Sequence, residues 1–306
     1  IILELIILCI LGTTAFGLFK LGKMERTNLS NIKNNGLKQT GYTNVALFGL
    51  DSRGKNLGKG NRTDTIMIAS INNETKKVKL VSVYRDTMLK QNGEHYDKAN
   101  AAYSVGGAGT AVNMLNENLD LDIQDYVSVN FLALADVIDM VDGITVKLTD
   151  EEVVHMNNYC VETSKVTGTK YKKIEPAVAG TYKLNGVQAV SYARIRYTAG
   201  GDYKRTERQR LVLKKTIDKL KQQDLATLNK IIDKVMPEVS TSFTTKEILS
   251  LATGAFDYEL GETTGFPFDL ETPEQIPGYS GSYVIPKGLE ENVIKLHQFL
   301  YPNKDY

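Results

Sequence analysis

The 306-residue chain is poor in the residues on which several common chemistries depend. It has two cysteines, Cys9 in an apolar N-terminal run and Cys160 in a polar stretch, so no disulfide framework joins them. Neither the cysteines nor the three scattered histidines, His95, His155 and His297, show the spacing of a zinc site. No Gly-x-Ser-x-Gly elbow is present, so nothing favours a Ser-His-Asp hydrolase. Net charge is only +1, which argues against nucleic-acid binding by overall charge. Any anion site must therefore come from local clusters of Arg and Lys. With 42% apolar and 24% charged residues, the chain reads as an ordinary globular protein with enough length for a substantial core.

Residues 1–21 read as a transmembrane anchor, built on the one long apolar run, Ile1–Phe19. Between Ile1 and Phe19 only Glu4 is charged. At about 1.5 Å per residue, a helix over this stretch would span roughly 30 Å, enough to cross a bilayer. A retained anchor is favoured over a cleaved signal peptide, because the run continues past the small-x-small site Ala15-Phe16-Gly17. Lys20, Lys23 and Arg26 follow the run and by themselves would keep that side cytoplasmic, so the visible charges do not fix orientation. Residues 22–42 are polar and read as a linker. Residues 43–306 read as a single domain.

Within that domain Asn44–Leu50, Thr65–Ile71 and Val78–Val83 are short apolar runs that predict buried strands, the last two joined by a turn at Asn72-Asn73. Helices are expected over Thr110–Leu119, Phe131–Met140, Gly186–Arg196, Tyr203–Lys221, Leu225–Met236, Thr245–Ala255 and Leu289–Leu300, and further strands over Tyr126–Val129 and Ile144–Leu148. Glu151–Gly180 is polar and reads as an irregular surface excursion. The alternation predicts an α/β fold, with a central mixed β-sheet flanked by helices on both sides.

Three constellations carry chemistry. The first follows the first strand: Asp51-Ser52-Arg53, a Gly/Lys-rich loop, then Arg62-Thr63-Asp64-Thr65. Carboxylates and arginines at strand ends suit a Mg²⁺ ion and a phosphate; the bland alternative is a solvated turn. The loop Gly54–Gly60 looks like a P-loop but is not one, since its spacing is a residue short and Gly60 stands where the metal-binding hydroxyl belongs. The second is Tyr84-Arg85-Asp86-Thr87, where the planar fork of a strand-end arginine suits phosphate oxygens and the alternative is a surface ion pair. The third has five arginines between Arg194 and Arg210. Arg194 and Arg196 end one helix, and Asp202, Arg205, Arg208 and Gln209 open the next, with Arg205 and Gln209 on a shared face. The start of that helix offers its own N–H groups to an anion. The alternative is a solvated basic face partnered by Asp202 and Glu207.

Taken in order, Phe48–Arg53, Arg62–Thr65, Val83–Thr87, Lys98–Tyr103, Tyr192–Arg196 and Gly201–Gln209 resemble the motifs of the LytR-CpsA-Psr family. The resemblance covers the chain from about Asn44 to Arg210. It implies a membrane-anchored bacterial envelope enzyme with its catalytic domain outside the cell. Such an enzyme transfers a glycan phosphate, as in wall teichoic acid or capsule attachment, from an undecaprenyl-pyrophosphate carrier to the 6-hydroxyl of N-acetylmuramic acid in peptidoglycan. Asp51 and Asp64 match the family's Mg²⁺ ligands, with Mn²⁺ as the substitute ion. Arg62, Arg85, Arg194, Arg196, Arg205 and Gln209 match residues that contact the pyrophosphate and head group, and Lys98 and Asp202 match further motif positions. The family also buries the polyprenyl tail between sheet and helices. This chain departs from it at Tyr84, where proline is common, after Gly106-Gly107, where no acid follows, and in the shorter turn Val141–Ile144.

On this resemblance Asp51, Arg85 and Arg62 are the expected catalytic residues, Asp51 taking the proton of the attacking hydroxyl. The competing expectation is a non-catalytic binder of the lipid-linked glycan, or an envelope regulator with incidental pyrophosphatase activity. It would need the arginines but not both aspartates. The partners expected are the lipid-linked glycopolymer, peptidoglycan and the membrane, with no nucleic acid, since no helix-turn-helix or aromatic platform is evident.

Overall fold

The computed structural model describes residues 25–27, 29, 31–33, 39–52, 57–91, 93, 95–248 and 257–302. The expected membrane span over residues 1–21 and Arg53 lie outside these. Among the described residues no helix is long and apolar enough to cross a membrane.

In chain order the elements are β1 (Glu25–Arg26), β2 (Tyr42–Leu50), β3 (Thr63–Asn72), β4 (Lys77–Val83), β5 (Met88–Lys90), β6 (Tyr96–Lys98), α1 (Ala101–Leu119), β7 (Asp125–Asn130), α2 (Phe131–Met140), β8 (Ile144–Leu148) and α3 (Asp150–Thr167). There follow β9 (Gly180–Leu184), α4 (Gly186–Arg194), α5 (Gly201–Leu220), α6 (Leu225–Val235), β10 (Val239–Thr241), β11 (Glu259–Phe266), β12 (Leu270–Glu271), β13 (Ile285–Pro286) and α7 (Leu289–Leu300). The chain groups into two compact units, one strand-rich (27–51, 56–128 and 257–306) and one mainly helical (1–26, 52–55 and 129–256).

In the strand-rich unit the strand order is β7-β2-β3-β4-β11. β2, β3 and β4 form an antiparallel meander, and β11 joins β4 in parallel, so the expected mixed sheet is present. The three meander strands are nearly continuous apolar runs, as buried strands require. Phe48, Ile66, Ile68, Val81 and Val83 pack with Val112, Leu115 and Leu119 of α1 and Val293, Leu296 and Leu300 of α7. Truncating the fully buried Ile68 to Ala should cost about 2–5 kcal/mol. α1 starts earlier than the spacing predicts and is kinked at Gly107, whose φ of 72° leaves the helical region. β11 was not expected from the sequence. Only one of its residues is buried, and it lies nearly two hundred residues along the chain from its partner.

The helical unit holds α2 to α6, the antiparallel pair β8–β9 and the parallel pair β1–β10. Its core joins Ile144, Val146 and Leu148 of β8 to Val153, Met156 and Cys160 of α3 and to Val187, Tyr192 and Ala193 of α4. Here the sequence reading is corrected, because most of the supposed irregular excursion over Glu151–Gly180 is the helix α3. A Thr149/Glu152 capping box opens it and Gly168 at φ 69° closes it. Its buried apolar residues are only Val153, Met156 and Cys160, and buried Asn157 and Thr163 share their face, which hides the helix from a simple reading of hydropathy. α4 ends at Arg194 rather than Arg196, since Ile195 takes extended angles. Gly186 opens α4 where it crosses α2; a Cβ there would stand 2.2 Å from the Ala135 carbonyl oxygen, so only glycine fits. Of the helix expected over Thr245–Ala255, residues 245–248 are helical and the rest lie outside the described residues.

Candidate functional site

In the strand-rich unit the site residues sit where β2, β3 and β4 end. Asp51 is exposed, and its backbone N–H donates to the Arg62 carbonyl (3.1 Å), which extends the strand pairing to the exposed Arg62. Gly49 faces Thr65 while Leu50 faces Thr63, so Asp64 is the extra residue of a β-bulge. A bulge re-aims a side chain at a strand end. Arg85 Nη1 donates to Asp64 Oδ1 in a partly buried ion pair.

Asp86 links the next two cations. Its Oδ2 lies 3.6 Å from Arg85 Nε and its Oδ1 lies 3.3 Å from Lys98 Nζ. The backbone around it is held by Asn100 N–H donating to Arg85 O (3.0 Å) and Ala99 N–H donating to Thr87 O (2.8 Å). The loop before β3 is fixed by the Tyr103 hydroxyl, which donates to Leu57 O (2.7 Å), and by Gly60 N–H, which donates to Ser104 O (2.9 Å). Tyr84, in place of the proline common in the resembled family, lies over Gly265, where a Cβ would come 2.2 Å from its hydroxyl.

In the helical unit the arginines are not a solvated basic face. Arg205, only 2% exposed, donates from Nη2 to Asp202 Oδ2 (3.2 Å) and forms an ion pair with Oδ1 (2.9 Å), one helical turn away. Arg196 Nε lies 3.7 Å from Asp202 Oδ1, so that aspartate stands between two guanidinium groups. Gln209 is buried one turn beyond Arg205. Arg194 reaches Glu162 (3.2 Å) and the Thr163 hydroxyl (3.2 Å), and its guanidinium lies over the rings of Phe131 and Tyr159. Arg208 differs: Nε donates to Glu152 (2.9 Å), Nη1 to the Ile195 carbonyl (3.1 Å) and Nη2 to the Thr198 hydroxyl (2.6 Å). Glu207, the other expected acid, pairs instead with Lys204 (2.7 Å).

Burial raises the Tyr159 hydroxyl above the usual tyrosine range and Tyr197 adds to the shift, against the pull of Arg194, Arg196 and Arg205. Burial likewise pushes Tyr192 up to about 12, with Glu152 adding to the rise and Arg208 opposing it. Both phenols stay neutral at physiological pH.

Asp51, Asp64, Arg62, Arg85 and Lys98 thus lie on the strand ends of one unit, and Arg194, Arg196, Asp202, Arg205 and Gln209 on α4, α5 and their connection in the other. The structure joins Asp64 to Arg85, Arg85 to Lys98 through Asp86, and Arg196 to Arg205 through Asp202. Sequence reasoning gave no role to Asp86, Glu152, Glu162, Thr163 or Tyr159. The last four lie on α3, and its Thr149-x-x-Glu152 box was the signal that could have placed it.

For a divalent cation, Asp51 and Asp64 supply hard oxygen donors on neighbouring strands. No group of three or more His, Cys, Asp or Glu able to hold a metal occurs among the described residues. That donor set fits Mg²⁺, which usually takes one or two carboxylates and completes its shell with water and phosphate oxygens.

The model of the LytR_cpsA_psr family matches residues 17–260. The chain is 33% identical over 210 residues to Biofilm regulatory protein A of Streptococcus mutans, covering 65% of this chain and 49% of that protein. It is 31% identical over 211 residues to the polyisoprenyl-teichoic acid–peptidoglycan teichoic acid transferase TagU of Enterococcus faecalis, covering 68% and 64%. The matches therefore span about half to two thirds of these relatives. In fold it is similar to the LytR-CPS2A-psr family protein YwtF (TagT) with bound octaprenyl pyrophosphate lipid, with a TM-score of 0.61, 22% identity and 90% and 97% of the two chains covered.

Proposed function

The chain belongs to the LytR_cpsA_psr family, and on that premise we propose that it is a Mg²⁺-dependent phosphotransferase. It moves a glycopolymer from an undecaprenyl-pyrophosphate carrier onto the N-acetylmuramic acid 6-hydroxyl of peptidoglycan, outside the cell and anchored to the membrane. The observation that carries this reading is the Arg85–Asp64 pair on the β3 bulge, Arg85 being the candidate phosphate fork and Asp64 the candidate metal ligand. The names of relatives as teichoic acid transferases and the prenyl pyrophosphate held by a protein of the same fold support the substrate class.

Asp51 and Asp64 would hold Mg²⁺, which when bound neutralises phosphate charge. Arg62, Arg85 and Lys98 bind phosphoryl oxygens and stabilise charge growing on the leaving polyprenyl phosphate. Arg194, Arg196, Arg205 and Gln209 contact the pyrophosphate and head group, with Asp202 orienting Arg196 and Arg205. Asp51, exposed beside Arg62, accepts the proton of the attacking hydroxyl. The test is Asp64→Ala and Arg85→Ala in a transfer assay with lipid-linked donor. Loss of turnover is expected in both, and near-wild-type turnover in either overturns the assignment.

A second reading, an envelope regulator that binds the lipid-linked glycan without turnover, draws on the name of the Streptococcus mutans relative. Metal-independent binding of donor with no product would favour it.

A further inference from the structure

The C-terminal segment 267–288 lies beyond the family-matched residues, yet it reaches the cations at the strand ends. Both of its ends are stapled by Asn292, which is fully buried. The Asn292 Oδ1 accepts from the N–H groups of Phe268 (2.7 Å) and Asp269 (2.9 Å), while Nδ2 donates to the carbonyls of Asp269, Lys287 and Gly288. Farther along, Val284 N–H donates to Asp86 O (2.9 Å) and Met88 N–H to Val284 O (2.8 Å), so the segment meets Thr87 in an isolated parallel β-bridge.

That pairing sets the Tyr283 ring under Lys98. Lys98 Nζ lies 4.8 Å from the ring centroid, and a Cβ built on Gly281 would stand 3.5 Å from the same nitrogen. Tyr283 is 5% exposed, and its hydroxyl donates to Asp97 Oδ1 (3.1 Å), which fixes the ring. Lys98 in turn lies 3.3 Å from Asp86, Asp86 lies 3.6 Å from Arg85, and Arg85 pairs with Asp64. A continuous chain of contacts therefore runs from Tyr283 to the bulge.

The geometry points to Tyr283 as a positioning residue of the phosphate site, through which the C-terminal segment fixes Lys98 on Asp86 and so aligns Arg85. This inference rests on the function proposed above. A cation held over an aromatic face gains orientation as well as energy. With Lys98 anchored, Asp86 keeps one oxygen on Lys98 and the other toward Arg85. Without the ring, Lys98 would be free to swing away, and Asp86 could turn wholly to Arg85 and draw it from Asp64.

The test is a double-mutant cycle read by calorimetric binding of geranylgeranyl pyrophosphate with Mg²⁺ present. Tyr283→Leu should weaken binding by roughly 3- to 30-fold, the range set by a buried cation–π contact. Tyr283→Phe, which keeps the face, should stay within about twofold. In a Lys98→Met background Tyr283→Leu should change nothing further, because its partner is gone. A full effect of Tyr283→Leu in that background, or wild-type affinity in Tyr283→Leu alone, overturns the inference while the proposed function stands. Wild-type protein that binds no prenyl pyrophosphate overturns both. Melting curves check that each variant is folded, and Tyr283→Met replaces Tyr283→Leu in the cycle should the leucine variant not fold.

Discussion

Arg85 and Arg208 are both arginines bonded to acids, but they stand in different economies. Arg208 places Nε, Nη1 and Nη2 on a glutamate, a backbone carbonyl and a hydroxyl, and so ties α5 to α3 and to the residues after α4. Arg85 is turned to Asp64, which is itself a candidate metal ligand, and to Asp86, which it shares with Lys98. The first arrangement holds a fold together. The second presents charge on a pleated scaffold whose register fixes each position. An arginine count treats the two alike; the identity of the acid separates them.

The comparison breaks first at Arg208. Arg208→Ala strips the partly buried Glu152 of its guanidinium and leaves the Ile195 carbonyl and Thr198 hydroxyl without their donor, which should cost about 1–3 kcal/mol. Denaturant unfolding should show that loss; an unchanged midpoint would mean that Arg208 is not structural. Arg85→Ala should lower transfer by about 10²–10³-fold, the usual effect of deleting one electrostatic donor at a transition state. Its melting temperature should fall far less than that of Arg208→Ala, and the reverse ranking would dissolve the distinction.

How much of this could be read from the sequence follows the range of the interactions. β2 to β4 were legible because each strand is a local apolar run, and α5 because Leu211, Leu213, Ile217 and Leu220 recur along a helical stretch. The residues of the strand-end constellation were legible as charges next to turns. The bulge that makes Asp64 the extra residue was not, since it depends on register with β2. Asp86 as a link between Arg85 and Lys98 depends on β6 returning beside β5, a pairing with no local mark. β11, with a single buried residue, carries little apolar pattern, and parallel pairing with β4 across a long stretch of chain decides it. α3 was the avoidable miss, because its capping box was visible.

Smaller effects sharpen the same contrast. Thr149→Ala removes the α3 cap that also positions Glu152 against Arg208, and should cost about 1 kcal/mol in unfolding experiments. Arg196→Ala, whose side chain is 34% exposed, should shift stability by less than about 1 kcal/mol, as exposed ion pairs do, and a larger loss would class it with Arg208. Cys160 offers a pH test of the α3 core. Burial pushes its thiol from 9.0 to about 11 in the folded chain. The folded state therefore binds that proton more tightly than the unfolded state. The associated stability is fully present below pH 9 and is lost as pH rises through about 11. Cys160→Ala should flatten that part of the stability profile, and a thiol reagent that labels Cys160 itself readily in native protein at pH 8 would contradict the burial.

The proposed function meets its most direct test when the wild-type protein, anchored in vesicles, receives a radiolabelled lipid-linked glycopolymer and peptidoglycan. With Mg²⁺ present, label should move onto peptidoglycan, and it should stop moving when a chelator removes the ion. Label that stays on the lipid, or that appears only as free glycan phosphate with peptidoglycan available, would contradict a transferase built on Asp51, Asp64 and Arg85.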